Sequence, residues 1–297
     1  MAFLEFKPTQ ILYKYCSSDG FLGMIKSKRL WFSDLASAND PREIKLGYER
    51  LQEAIELIRK ENYKGEQGAF LSVLSEHLTR VYKSQRAFCS CLSLVADDLP
   101  MWNAYGENYS GLVIGFRPTS LFDTPGRLQK VKYLKYETIE EYRDFVLDLA
   151  SKFDRLGHAA TDLTYWVPAA AAVFAALTAL KHTTWSYEQE VRLVYTQKKQ
   201  APESSDDLIS SIIGQWPDGK LIKWTEPLKR VDKNGNAVGY LEFPFGKFRR
   251  GAYSTERAIK SIILGPKCPH SIGDVSTAMK EAGFGDFEVV ASVCQIR

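Results

Sequence analysis

Short stretches rich in β-branched and aromatic residues lie towards both ends of the chain, and longer amphipathic stretches lie in its middle. A run of roughly four to eight such residues, bounded by turn formers, is typical of a β-strand. We therefore predict strands at 11–15, 29–33, 87–95, 111–116, 130–136, 259–264 and 287–293.

The middle of the chain predicts two amphipathic helices in an insertion at about 44–84, with a break near Gly65. Apolar residues three and four positions apart share one face of a helix. The two predicted faces contain Leu51, Ala54, Ile55 and Ile58, and then Phe70, Leu74, Leu78 and Val81. Further helices are predicted after Thr138, which forms a capping box with Glu141, and at about 271–282, where Gly283 ends the helix.

The apolar run at 165–180 contains Pro168 and is shorter than the roughly 20 residues that a membrane span needs. We predict a buried helix here and no membrane association. Because helices collect in the middle and strands recur at both ends, the pattern favours an α+β fold with a mixed or mainly antiparallel sheet. We predict one domain over 1–297, with the helical insertion and a polar, basic insertion at about 197–250, where Asn234 and Gly235 favour a hairpin turn.

Composition narrows the class of protein only a little. The chain has 297 residues and a formal net charge of +3, which is too small to indicate nucleic-acid binding by itself. Its five cysteines form no CxxC pair, which favours reduced thiols and a cytoplasmic protein. Cys89 and Cys91 are spaced to share a metal ion, but the four histidines supply no matching second pair, so we expect no metal site.

The stretch WSYEQEVRLVY at 185–195 has the strongest pattern of candidate chemistry. If a strand begins near Glu188, then Glu188, Glu190 and Arg192 line one side of it, since side chains alternate between faces. Two carboxylates and a guanidinium would then reach one small cavity. The alternative is a surface strand on which these charges are simply solvated.

The order of several segments resembles a large bacterial family known only as domain of unknown function 2971. In this chain the segments read LYKY, RLWFS, NDPRE, FCSCLS with LPMWNAYGENYSGLVIGF, WSYEQEVRLVY and IKSIILGPKC. The resemblance runs from about Leu12 to the C-terminus, but the polar insertion at about 197–250 contains no motif of the family.

That family in turn resembles remote ADP-ribosyltransferases, which bind NAD in a split, mostly antiparallel sheet. The resemblance implies that Tyr13 or Tyr15 contacts the NAD ribose from the first strand and that Ser33 does so from the second. Glu188 and Glu190 would match the late strand, with Glu190 as the catalytic carboxylate. The segment LYKY has neither the His-x-Thr nor the Arg of better-known branches, which leaves the choice between the two tyrosines open.

The chemistry agrees with these assignments. Cleaving the bond between nicotinamide and ribose builds positive charge on the sugar, which a fixed carboxylate at Glu190 would stabilise in the transition state. Glu188 would orient or activate the attacking group, because a neighbouring carboxylate raises its pKa. Arg192 would contact phosphate or hold Glu190; a structural ion pair with Glu190 is the equal alternative.

Aromatic and turn residues supply further candidates for NAD binding. Trp31, Trp102 and Tyr105 have rings that stack well on flat heterocycles, although core packing explains any one of them more simply. Asn39 and Asp40 follow the second predicted strand directly and would contact the ligand, or they form only a turn before a helix.

The predicted function is that of an NAD-dependent ADP-ribosyltransferase acting on a nucleic acid or a protein. The family resemblance suggests an effector of phage defence or of a toxin system, held by an antitoxin or chaperone. A basic, aromatic region would bind an RNA or DNA target through Lys223, Arg230, Lys247, Arg249 and Arg250, unless it is only a solvated face. The alternatives are a non-catalytic nucleotide or nucleic-acid binding module and an NAD hydrolase.

Overall fold

The computed structural model describes residues 6–37, 43–61, 66–122, 124–135, 137–154, 174–201, 214–215, 221–231, 235–246 and 255–296. Some predicted features lie outside these residues. They are the site residues Asn39 and Asp40, the basic residues Lys247, Arg249 and Arg250, and most of the apolar segment at 165–180. Of that segment, residues 174–177 form one helical turn.

Strands dominate the described chain. They are β1 (Leu12–Cys16), β2 (Arg29–Asp34), β3 (Gln85–Ser93), β4 (Leu112–Phe116), β5 (Arg127–Lys130), β6 (Lys132–Leu134), β7 (Leu180–His182), β8 (Glu190–Lys198), β9 (Gly214–Gln215), β10 (Leu221–Ile222), β11 (Leu228–Val231), β12 (Ala237–Pro244), β13 (Ile259–Leu264) and β14 (Glu288–Ala291). The α-helices are α1 (Ser18–Ser27), α2 (Glu43–Lys60), α3 (Glu66–Ser84), α4 (Leu99–Tyr105), α5 (Glu140–Asp154) and α6 (Ile272–Glu281).

The main sheet has ten strands and forks at β3. One edge of β3 pairs along its length with β8, which pairs in turn with β5. The other edge is shared, because β2 pairs with the middle of β3 and β1 with its end. From β2 the sheet continues to β12 and β11, and from β1 to β4, β13 and β14. Among the strands that the structure describes, only β13 and β14 pair in parallel within this sheet, so the prediction of an α+β fold with a mixed sheet is confirmed.

The two faces of the main sheet are covered differently. Alternate residues of a strand point to opposite faces, and Phe88, Leu92 and Leu193 pack on one face in a large apolar core with α1 and α6. On the other face, α2, α3 and α5 cover one end, where Val194 is buried. Helix α4 covers the opposite end with Trp102. The candidate site lies between these two covered ends.

The two helices predicted at 44–84 are confirmed as α2 and α3. Their predicted apolar faces are buried against α5 and the sheet, with Leu51, Ile55 and Leu74 fully inaccessible. The predicted C-terminal helix is confirmed as α6, in which Ser271 and Asp274 form a capping box. None of the described helices is both long enough and apolar enough to cross a bilayer.

The strand predicted at 130–136 is wrong as a single element, because the chain changes partner within it. The Val131 amide donates to the Glu190 carbonyl at 2.9 Å, whereas the Lys132 amide donates to the Ala179 carbonyl at 2.8 Å. β5 therefore ends in the main sheet, and β6 pairs in parallel with β7 in a separate two-stranded sheet. This switch brings residues 180–182 close to the start of β8.

The capping box predicted at Thr138 and Glu141 is also wrong. Helix α5 begins at Glu140, and the Thr138 hydroxyl donates to the Lys135 carbonyl at 3.3 Å instead of accepting from the helix. The Glu141 carboxylate accepts from the Lys135 amide at 2.9 Å. Both side chains thus close the turn that precedes the helix.

Candidate functional site

A pocket of about 330 Å³ opens where β1 and β2 diverge from β3. Strand pairing explains why polar side chains meet there. Tyr13 is opposite Ser93, which is opposite Glu190 across β3, and Ser33 is opposite Cys89. Residues directly opposite each other in antiparallel strands face the same side of the sheet. The fork therefore leaves a gap between two rows of side chains that point the same way.

The two candidate carboxylates reach the pocket by a route that differs from the predicted one. β8 begins at Glu190, and Glu188 ends a 3₁₀-helix (Thr183–Glu188), so the predicted strand start at Glu188 is wrong. Gln189 between them has φ of 41°, in the left-handed region that few residues other than glycine adopt. The Ser93 hydroxyl donates to the Glu188 carbonyl at 2.6 Å and helps to hold this turn. Both carboxylates nevertheless line the pocket.

Four buried charges meet at the base of the pocket. Glu190 accepts from Arg192 Nε at 2.8 Å and from Arg192 Nη2 at 3.0 Å, which is a bidentate pair. Lys181 Nζ lies 2.7 Å from Glu188 Oε2 and 3.3 Å from Glu190 Oε2. Arg192 Nη1 also donates to the Thr178 carbonyl at 2.5 Å. All four charged side chains are at most 6% exposed, so this ion network is shielded from bulk water.

The environments of the two carboxylates push their pKa values in opposite directions. Burial alone would raise the pKa of Glu190, but the charge and hydrogen bonds of Arg192, together with Lys181, hold it well below its usual range. Burial raises the pKa of Glu188, and the nearby negative charge of Glu190 adds to this against the opposing effect of Lys181. Glu190 is therefore a fixed anion, and Glu188 is the carboxylate better able to exchange a proton.

Two tyrosines complete the base of the pocket. The Tyr105 hydroxyl donates to Glu188 Oε1 at 2.5 Å, and burial next to that carboxylate raises the pKa of Tyr105. The Tyr133 hydroxyl accepts from the Glu190 amide at 2.9 Å, and burial raises its pKa to about 12. Both phenols therefore stay protonated at neutral pH.

Cys91 adds a thiol to the pocket wall. Its sulfur lies 3.6 Å from that of Cys89. The hydrogen bond with Cys89, together with desolvation by the groups around the sulfur, raises the pKa of the Cys91 thiol, although the residue itself is exposed. Within the described part of the chain, no three His, Cys, Asp or Glu side chains converge as a metal-binding group.

Sequence reasoning missed three contributors to this site. Lys181 directly follows the apolar run at 165–180, and a cation next to such a run is the signal that could have identified it as buried and paired. Tyr133 carried no comparable signal, because it lies within an otherwise ordinary strand, and Cys91 was considered only as a metal ligand together with Cys89. Their place in the site depends on which strands become neighbours.

Most of the residues predicted for the site line the pocket. These are Tyr13, Tyr15, Trp31, Ser33, Tyr105, Glu188, Glu190 and Arg192. Of the two tyrosines in β1, Tyr15 is the more structural: its hydroxyl donates to the Val95 carbonyl at 3.3 Å and accepts from the Asp98 amide at 3.1 Å.

Trp102 needs correction as a ligand-binding residue. Its side chain is fully buried, its Nε1 donates to Asp97 Oδ1 at 2.5 Å, and the Tyr15 ring packs edge-on against it at 5.1 Å. It supports the pocket from behind and is not part of its lining. The simpler alternative, core packing, therefore holds for this residue.

The two described members of the predicted basic region have different positions. Lys223 is exposed and does not line the pocket. Arg230 lies in the pocket wall, where its Nη2 donates to Ser33 Oγ at 3.0 Å and its guanidinium carbon is 5.8 Å from the centre of the Trp31 ring. The strands that carry it therefore contribute to the same site as the carboxylates.

A family model described as a protein of unknown function (DUF2971) matches residues 101–193. The match covers less than half of the chain and includes Tyr105, Lys181, Glu188, Glu190 and Arg192. It supports, over this region, the resemblance found in the sequence. The other segments that carried the resemblance lie outside it, at 12–15, 29–33, 39–43, 88–93 and 259–268. Neither the curated proteins nor the solved structures gave a match to the chain.

Proposed function

We propose that the chain is an ADP-ribosyltransferase-like enzyme that cleaves the nicotinamide–ribose bond of NAD and transfers ADP-ribose to a macromolecule. One observation carries the proposal: two adjacent buried carboxylates, Glu188 and Glu190, have pKa values shifted in opposite directions at the base of one pocket. Such pairs divide the roles of a fixed anion and a proton carrier. The same pair occupies the place that the resemblance to ADP-ribosyltransferases gives to the catalytic Glu-x-Glu.

In the proposed reaction, the bond between ribose C1′ and the nicotinamide nitrogen breaks, and its electron pair leaves with nicotinamide. Glu190 stabilises the positive charge that develops on the sugar. The acceptor then attacks C1′, and Glu188 takes the proton that the attacking group loses. Lys181 and Arg192 hold the two carboxylates in place, and Tyr105 orients Glu188 through its hydroxyl.

The shape of the pocket is compatible with a nucleotide. Its volume of about 330 Å³ is at the lower end of the range for small-molecule sites, so part of a dinucleotide would extend from the mouth. Tyr13 and Trp31 in the lining offer rings for stacking on flat heterocycles. As a cytoplasmic enzyme of this kind, the chain would act as an effector in phage defence or a toxin system, and an antitoxin or chaperone would restrain it.

The test is a label-transfer assay with NAD labelled in its adenylate half. Purified protein is incubated with this NAD and, separately, with total RNA, DNA or protein from bacterial cells. Transfer of label to one fraction, lost in Glu188→Gln and kept in the exposed control Glu226→Gln, supports a transferase and identifies the acceptor class. Free ADP-ribose without transfer indicates an NAD hydrolase, and unchanged NAD in every arm contradicts the proposal.

A second candidate, a non-catalytic binding module, is favoured by the saturation of Glu190. Its two oxygens already accept from Arg192 and Lys181, and the four charges at the base of the pocket cancel formally. A pocket built only to hold a ligand would bind NAD without releasing nicotinamide, and binding would survive Glu188→Gln.

A further inference from the structure

The wing of the sheet formed by β2, β12 and β11 presents a cation to the pocket. Ser33 pairs with Tyr240 on β12, and Arg230 pairs with Val238 on the same strand, two residues away. Because residues two apart on a strand face the same side, Ser33 and Arg230 lie on one face. Their side chains meet there, with Arg230 Nη2 donating to Ser33 Oγ at 3.0 Å.

Arg230 has hydrogen-bonding capacity that the described chain does not use. Its Nε is shielded from solvent and has no hydrogen-bond partner among the described residues. A buried donor without an acceptor is costly, and such groups are rare in folded proteins. A donor of this kind, in a pocket wall, is suited to an acceptor supplied by a ligand.

The balance of charge in the pocket favours an anionic ligand. The carboxylates at its base are matched, Glu188 by Lys181 and Glu190 by Lys181 and Arg192. The described residues contain no carboxylate within ion-pair distance of Arg230, so its charge adds to the pocket without local compensation. A planar guanidinium with a hydroxyl beside it is well suited to phosphate oxygens.

An exposed ring lies directly beside this cation. Trp31 is 36% exposed, although it is one of the largest apolar side chains in the sheet, and the Tyr240 ring lies 5.1 Å from it at an angle of 41°. The guanidinium of Arg230 is 5.8 Å from the Trp31 ring. A phosphate-binding cation beside an exposed ring is a combination suited to a nucleotide, in which a phosphate and a flat base are joined.

We infer that Arg230 and Ser33 form a phosphate subsite for a small nucleotide, with Trp31 as a stacking surface. In the strand register, Ser33 and Glu190 are separated by two strand spacings across the sheet and by four residues along it, which is on the order of 16 Å. One extended molecule is therefore needed to reach both the phosphate subsite and the carboxylates. The identity of that molecule rests on the proposed function, under which the pyrophosphate of NAD contacts Arg230 while its nicotinamide ribose lies at Glu190.

Calorimetric titration with ADP-ribose and with adenosine tests the subsite without requiring turnover. Arg230→Gln removes the charge but keeps a polar side chain of similar length. Lys229→Gln is the matched control, because Lys229 is the adjacent residue of β11 and is exposed. We expect Arg230→Gln to weaken ADP-ribose binding at least about tenfold, as loss of a charge-assisted hydrogen bond does. We expect adenosine binding to be unchanged and Lys229→Gln to behave like wild type.

Either of two binding results would overturn the inference. The first is that the wild-type protein does not bind ADP-ribose. The second is that Arg230→Gln weakens the binding of adenosine as much as that of ADP-ribose, which would indicate a general disturbance of the pocket wall. The outcome is separable from the proposed function. ADP-ribose binding that depends on Arg230, without any cleavage of NAD, would support the phosphate subsite and contradict the proposed enzymatic function. NAD cleavage with an unchanged KM in Arg230→Gln would support the enzymatic function and contradict the subsite.

Discussion

Replacement of Arg192 by methionine tests the central ion network of the pocket. In the wild type, Arg192 donates twice to Glu190 and once to the Thr178 carbonyl while only 2% of the side chain is exposed. Arg192→Met leaves the buried carboxylate of Glu190 with Lys181, at 3.3 Å, as its remaining cation. Breaking a buried pair by removing one partner costs about 3–5 kcal/mol. Because Lys181 compensates in part, we expect a loss near the lower end, about 3 kcal/mol.

Urea unfolding followed by circular dichroism at pH 7 measures this loss. The control is Arg59→Met, which breaks an exposed pair with Glu56 at 2.8 Å and is expected to cost at most about 1 kcal/mol. The double variant Glu190→Gln/Arg192→Met is expected to lose less than the sum of its single changes, because the two residues interact directly. A loss for Arg192→Met no larger than that of the control would refute the reasoning.

The pH dependence gives a second check on the same variant. Because Arg192 lowers the pKa of Glu190 in the folded protein, this group stabilises the fold above its ordinary pKa of 4.5, and the contribution is lost as the pH falls through the lowered value. Arg192→Met removes that lowering. The difference in unfolding free energy between wild type and variant should therefore be largest at pH 7 and shrink below about pH 4.5. A difference that stays constant over this range would contradict the assigned role.

Two further predictions concern groups whose pKa is raised. Because Glu188 must be ionised to accept a proton, kcat/KM for NAD should fall as the pH is lowered, and the fall should begin above the ordinary pKa range of a carboxylate. Glu188→Gln should abolish this acidic fall in kcat/KM. If the fall persists in the variant, Glu188 is not the base. Cys91 should react with iodoacetamide more slowly at pH 7.5 than free cysteine, as followed by peptide mass spectrometry, because little of it is thiolate; an equal rate would contradict the raised pKa.

Local pattern was sufficient to predict much of the fold. Strands β1, β2, β3, β4 and β13 and helices α2, α3 and α6 follow apolar periodicities that their burial explains. The break between β5 and β6 could not be predicted in this way, because it depends on Lys132 leaving β8 to pair near Ala179. Sequence also placed the start of β8 too early, since the left-handed turn at Gln189 has no glycine to signal it.

The candidate site was partly predictable for a similar reason. Glu190 and Arg192 share a face of one strand, which alternation alone implies. Lys181 and Arg230 join them through strand pairings between distant parts of the chain, β6 with β7 and β12 with β2. Trp102 is the opposite case. Its aromatic ring suggested a place in the wall of the ligand-binding pocket, but only the packing of α4 against β1 reveals that it lies in the interior.

The most direct test of the account is the rate at which nicotinamide is released from NAD by wild-type and Glu190→Gln protein. Because Glu190→Gln leaves Arg192 without its anionic partner, circular dichroism must first establish that the variant is folded at the assay temperature. The account predicts release by the wild type and a rate lower by about 100-fold or more in the folded variant, as expected for loss of a group that stabilises transition-state charge. Equal rates in the two proteins, or no release by wild-type protein supplied with RNA, DNA and protein acceptors, would contradict it.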